Sequence, residues 1–95
     1  LAVVLPAASD AQPLIVEPKE LFVNIDQQGE YVVDGRAMTQ EEIEGVLRQA
    51  VVNNPVNQSV VIRADKRVQF DHVVAIMNLC NRVGVRDYSV TTMRD

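Results

Sequence analysis

The stretch Val60-Val61-Ile62-Arg63-Ala64-Asp65-Lys66 constrains this chain more than any other. An apolar run too short for a helix ends in a charged turn, and an amphipathic segment begins near Gln69. Short apolar runs bounded by turn chemistry read as buried strands. Val60 and Ile62 project to one face and Val61 to the other, so both faces are expected to be at least partly covered. That places 59–64 inside a sheet. Upstream segments must supply its neighbours, and the downstream helix must pack over it and return.

The flanking segments fit that role. Leu21, Val23 and Ile25 alternate with Phe22, Asn24 and Asp26, the pattern of a half-buried strand. Asp26-Gln27-Gln28-Gly29 is a turn with glycine where φ must be positive. Tyr31-Val32-Val33 then returns, giving a hairpin over 20–33 that closes at Asp34-Gly35 in a tight turn. Thr39-Gln40-Glu41-Glu42 is a capping box, and Glu41, Glu42 and Glu44 suit the positive end of a helix dipole. Ile43, Val46, Leu47, Ala50 and Val51 form one apolar face before Asn53-Asn54-Pro55 stops the helix.

A second helix is predicted over 69–83, ended by Gly84. Phe70, Val73, Val74, Met77 and Cys80 form an expected core stripe, with Ile76, Leu79 and Val83 in a second stripe beside it. The second stripe is expected to pack on the first helix or on another subunit. Tyr88, Val90 and Thr92 alternate with Ser89 and Thr91 in a last strand, an exposed edge open to pairing. Leu14-Ile15-Val16 either prolongs a linker or leads into the sheet. The class is therefore α+β: a mixed β-sheet with two helices on one face, in ββαβαβ order.

Ahead of that domain, Leu1, Val3 and Leu5 alternate as on a strand, Pro6 ends any ladder, and 7–13 is linker-like. Two readings stand equal: the strand folds back as an edge of its own sheet, or it adds to the edge of a partner or a second copy. A short strand and linker over 1–19 and a domain over 20–95 are the expected units. No signal peptide or membrane span is present in the sequence, and with its start at Leu1 it is expected to be a fragment or processed product.

Several function classes are disfavoured. A net charge of −4 without a Lys/Arg cluster gives no footprint for nucleic acid, and 4% aromatic content without tryptophan gives no base-stacking platform. No phosphate loop, metal-ligand spacing or nucleophile–base set is present, so neither an enzyme nor a cofactor is expected. The Glu41/Glu42/Glu44 cluster lacks partners for acid–base or metal chemistry and reads as a solvated helix start. Cys80 reads as a small buried hydrophobe, and His72 as a polar boundary residue. Asp65 and Lys66 are the most site-like charges, although an Asx-turn with a solvated lysine is the favoured account. At 95 residues the chain buries a modest core, which favours self-association as a homodimer.

The run Val61-Ile62-Arg63-Ala64-Asp65-Lys66-Arg67-Val68-Gln69-Phe70, followed by Val73-Val74, Met77, Gly84-Val85 and Tyr88-Ser89-Val90-Thr91-Thr92, resembles the ExbD/TolR family of biopolymer transport proteins. Arg63, Asp65 and Lys66 stand at the family's signature turn. The order of elements agrees over 20–92, and Leu1-x-Val3-x-Leu5-Pro6 resembles the motif these proteins carry just outside the membrane. The resemblance implies a single-pass inner-membrane protein with this domain in the periplasm. Its span, with a proton-carrying Asp, would precede Leu1.

The resemblance further implies a dimer within an ExbB/TolQ-like channel pentamer, coupling the proton motive force to a TonB- or TolA-like partner. Strand pairing through Leu1, Val3, Leu5 and Pro6, or through Tyr88, Val90 and Thr92, is the expected contact. Peptidoglycan is a further candidate partner. The alternative is a free-standing regulatory module that binds a small molecule and has no motor role.

Overall fold

The computed structural model describes residues 19–93. In chain order these form β1 (Lys19–Ile25), β2 (Tyr31–Val33), β3 (Arg36–Met38), α1 (Gln40–Asn53), β4 (Gln58–Asp65), α2 (Phe70–Val83) and β5 (Asp87–Met93). The strands make one five-stranded sheet in the order β3-β2-β1-β4-β5. β1–β2 and β2–β3 pair antiparallel, while β4 pairs parallel with β1 on one side and β5 on the other. The sheet is mixed and the class is α+β, as the sequence predicts. One element is additional. Asp34 (φ 52°) and Gly35 (φ 77°) turn the chain into the short strand β3, where Val32 pairs with Ala37.

Register divides the sheet into two unlike faces. Val23 sits beside Ile62 and Ile25 beside Ala64 on the face that carries the core. Phe22 beside Val61, and Asn24 beside Arg63, occupy the other face. The two helices lie on the core face, where Ile43 and Leu47 of α1 and Val73, Ile76, Leu79 and Cys80 of α2 are buried. β4 is thus an interior strand, but on its second face Val61, Arg63 and Asp65 are only half-buried, and neither of the two described helices covers them.

Local chemistry sets the helix ends. The Glu42 N–H donates to Thr39 Oγ1 (3.2 Å) and the Thr39 N–H to Glu42 Oε1 (3.0 Å), which completes the capping box. Such a cap stabilises by about 1 kcal/mol. At the far end of α2, Gly84 takes φ 88°, and the N–H groups of Gly84 and Val85 both donate to the Cys80 carbonyl. Val85 is buried beneath that turn, the apolar contact that accompanies a Schellman ending. Between α1 and β4, buried Gln58 donates from Nε2 to the Lys19 carbonyl (3.0 Å) and so anchors the start of β1.

Phe70 departs from its expected place in the core stripe, being 67% exposed. It is the first residue of α2, where the helix has not yet turned onto the sheet; Val74 and Met77 are only half-buried. The inward face instead runs through Val73, Ile76, Leu79 and Cys80, so the expected second stripe supplies two of the deepest residues. Arg82 on α2 pairs with Glu44 on α1 at 2.8 Å, consistent with α2 lying against the first helix.

Candidate functional site

Three regions carry the chemistry that the fold positions: the turn after β4, the open face of the sheet, and the free edge of β5. Asp65, the last residue of β4, accepts the Arg67 backbone N–H at Oδ1 (2.8 Å), an Asx-turn. The Arg67 guanidinium also grips both oxygens, Nε to Oδ1 and Nη2 to Oδ2, each at 2.9 Å. Hydrogen bonds from the Arg67 side chain and backbone hold the Asp65 carboxyl down at about 2. Lys66 is exposed beside it. This turn is a structural clamp that ends β4 and launches α2.

Arg63 belongs to the strand rather than the turn and lies on the open face. Its guanidinium carbon stands 4.4 Å from the centroid of the Phe22 ring, and its Nε donates to Asn24 Oδ1 at 2.7 Å. Asn24, Asp26, Val32, Arg63, Thr92 and Met93 line a recess of about 520 Å³ there. Residue pattern alone leaves this cluster hidden. Phe22 and Asn24 lie about 40 positions before Arg63, and only the parallel β1–β4 register brings them together. The usable signal is the two-residue period, which places Arg63 on the face away from Val60 and Ile62.

Among the described residues, β5 has a neighbour on one side only. Tyr88, Val90 and Thr92 pair with Val60, Ile62 and Ala64 and so share the helix-bearing face. They are not equivalent. Tyr88 is half-buried and its hydroxyl donates to Asn81 Oδ1 (3.0 Å), whereas Val90 is 45% exposed and Thr92 is exposed. Leu1, Val3, Leu5 and Pro6 lie outside the described residues.

The remaining candidates are structural. Cys80 is fully buried, and burial pushes its thiol up to about 11. His72 accepts the Tyr31 hydroxyl at its backbone carbonyl (2.9 Å), and its ring meets Tyr31 edge-on, with centroids 6.5 Å apart. Glu44 is held low by hydrogen bonds from Arg48 and then Arg82. Among the described residues, no group of His, Cys, Asp and Glu could hold a metal ion.

The family model described as biopolymer transport protein ExbD/TolR matches residues 1–95. The chain belongs to the ExbD/TolR family. No curated protein matches the chain. ExbD/TolR proteins are energy-transducing subunits of biopolymer transport rather than enzymes, and they work with ExbB/TolQ- and TonB/TolA-type partners. They are inner-membrane proteins with a periplasmic domain. No helix among the described residues is long and apolar enough to cross a membrane.

Proposed function

We propose that residues 20–95 are the periplasmic domain of a motor subunit driven by the proton motive force, and that residues 1–19 are its membrane-proximal strand motif and linker. The domain couples an ExbB/TolQ-like proton channel to a TonB- or TolA-like partner and works as a homodimer. The observation that carries this reading, beyond family membership, is the outer edge of β5, which no other strand among the described residues pairs. It is seven residues long and bears exposed Val90 and Thr92. A strand edge of this kind is a template for an incoming strand, main-chain hydrogen bonds giving affinity and alternate side chains giving specificity.

The geometry suits force transmission. Each added main-chain hydrogen bond contributes about 0.5–1.5 kcal/mol. A strand pulled along its own axis loads all of those bonds together, whereas one peeled sideways breaks them in turn. The occupant is either the Leu1-Val3-Leu5-Pro6 segment of the second copy or a strand of the TonB- or TolA-like partner. Either joins β5 beside β4, so the load passes directly into the interior of the sheet.

Val90→Lys tests the reading in cells that depend on this protein. Lysine on an edge strand opposes further pairing, and a substitution at a half-exposed site changes stability by only about 0.5 kcal/mol. Loss of energy-dependent transport or envelope maintenance, with the melting temperature nearly unchanged, is the expected result. Full activity of the variant would remove β5 as the coupling edge.

A further inference from the structure

We propose that the recess on the open face of the sheet is a carboxylate-binding site anchored by Arg63, and that its ligand is an acidic side chain of an extended peptide. The Arg63 guanidinium is already fixed in two ways, by the Phe22 ring 4.4 Å from its central carbon and by the Nε–H donated to Asn24 Oδ1 at 2.7 Å. Its terminal nitrogens meet no acceptor among the described residues. A planar fork held flat in this way matches a carboxylate bidentately and loses little further freedom when it binds one. Because the Asn24 carbonyl is engaged by Arg63, the Asn24 amide group remains as a second donor beside it.

The walls select among anions. Val32 bounds one side and Met93, placed on the open face by its pairing with Asp65, the other, with Thr92 next to it at the end of β5; the recess measures about 520 Å³. That is room for a side chain together with neighbouring main chain, more than a simple ion fills. Asp26 closes part of the rim, and its Oδ1 is held by the backbone N–H groups of Gln28 (3.0 Å) and Glu30 (2.8 Å). A fixed negative charge there penalises a doubly charged phosphate more than a single carboxylate. The same carboxylate also offers a partner to a peptide amide or ammonium group. Thr92 and Met93 at the end of β5 line one wall, but the anchors Arg63 and Asn24 belong to β4 and β1, so substitution of Arg63 probes this site without altering β5.

The test is a titration of the whole chain followed by ¹H–¹⁵N NMR at low ionic strength. The probes are the capped peptide Ac-Ala-Ala-Glu-Ala-NH2, its Gln counterpart and sodium acetate. The Glu peptide is expected to give saturable shifts at the Asn24 side-chain amide, the Arg63 Nε–H and the Val32 and Met93 amides. The Gln peptide and the Arg63→Lys variant are each expected to bind at least about tenfold more weakly, since lysine keeps the charge but not the fork. Phe22→Leu, which removes the stacking platform and retains Arg63, provides a second reading if Arg63→Lys fails to fold. Acetate shifting the same groups as strongly as the Glu peptide would support the carboxylate site and assign it to small acids. Equal binding of the Glu and Gln peptides, or shifts scattered away from Arg63, would overturn the proposal.

Discussion

Gly29→Ala probes the contact between the β1–β2 turn and α2, and its cost can be worked from the structure. Gly29 has φ +86°, and a Cβ built there would lie 2.5 Å from His72 Cε1 and Nε2 and 2.7 Å from Cδ2. The backbone conformation alone costs an L-residue about 1–2 kcal/mol. The methyl also forces the His72 ring away from Tyr31, and such an edge-on contact is worth about 0.5–1.5 kcal/mol. We therefore expect Gly29→Ala to destabilise by about 2–3 kcal/mol, or roughly 10–20 °C in melting temperature for a domain of this size. Gly35 is the internal control, with φ +77° and nothing within 4 Å of an added Cβ. Gly35→Ala should cost only the backbone share, about 1–2 kcal/mol. Urea unfolding followed by circular dichroism reads both, as midpoint shifts at constant slope. In a His72→Ala background the cost of Gly29→Ala should fall to that of Gly35→Ala. Costs for Gly29→Ala and Gly35→Ala within about 0.5 kcal/mol of each other in the unsubstituted background would refute the contact argument.

Two further outcomes follow from the electrostatics and the core. Asp65 is lowered from 3.8 to about 2, so its share of the stability is complete above about pH 4 and is lost as pH falls towards 2. Glu44 is lowered too and acts with the same sign. Thermal melts from pH 5 to pH 2 should be less steeply pH-dependent in Asp65→Asn; an unchanged slope would contradict the Arg67 clamp. The Cys80 thiol, buried and raised to about 11, should resist a disulfide reagent at pH 8 until the chain unfolds in denaturant. Rapid labelling of the native chain would contradict its burial.

Features written in adjacent residues were legible from the sequence. The Thr39/Glu42 box, the Asp26–Gly29 turn and the Gly84 ending all depend on groups within five positions of one another. β4 was legible because its apolar run ends in charge. β3 was not, since Arg36-Ala37-Met38 shows no apolar alternation and is a strand only because the Asp34-Gly35 turn lays it beside β2. The Arg63–Phe22–Asn24 cluster was hidden for a related reason. The two-residue period gives the face of each residue but not the register between β1 and β4, which is a long-range property. Phe70 was misplaced because helical periodicity gives a direction around the axis, not the point at which a helix first meets its sheet.

The central claim is that β5 is a docking edge, and amide hydrogen exchange along Tyr88–Met93 tests it most directly. Exchange would be measured on the free chain at low concentration, on a concentrated chain, and in the presence of a TonB- or TolA-like periplasmic segment. We predict fast exchange for the edge-facing amides of the free chain, slowed at least about tenfold when a second strand is seated, a change of about 1.4 kcal/mol. Protection in β5 that is unchanged by both a second copy and the partner segment would contradict the account.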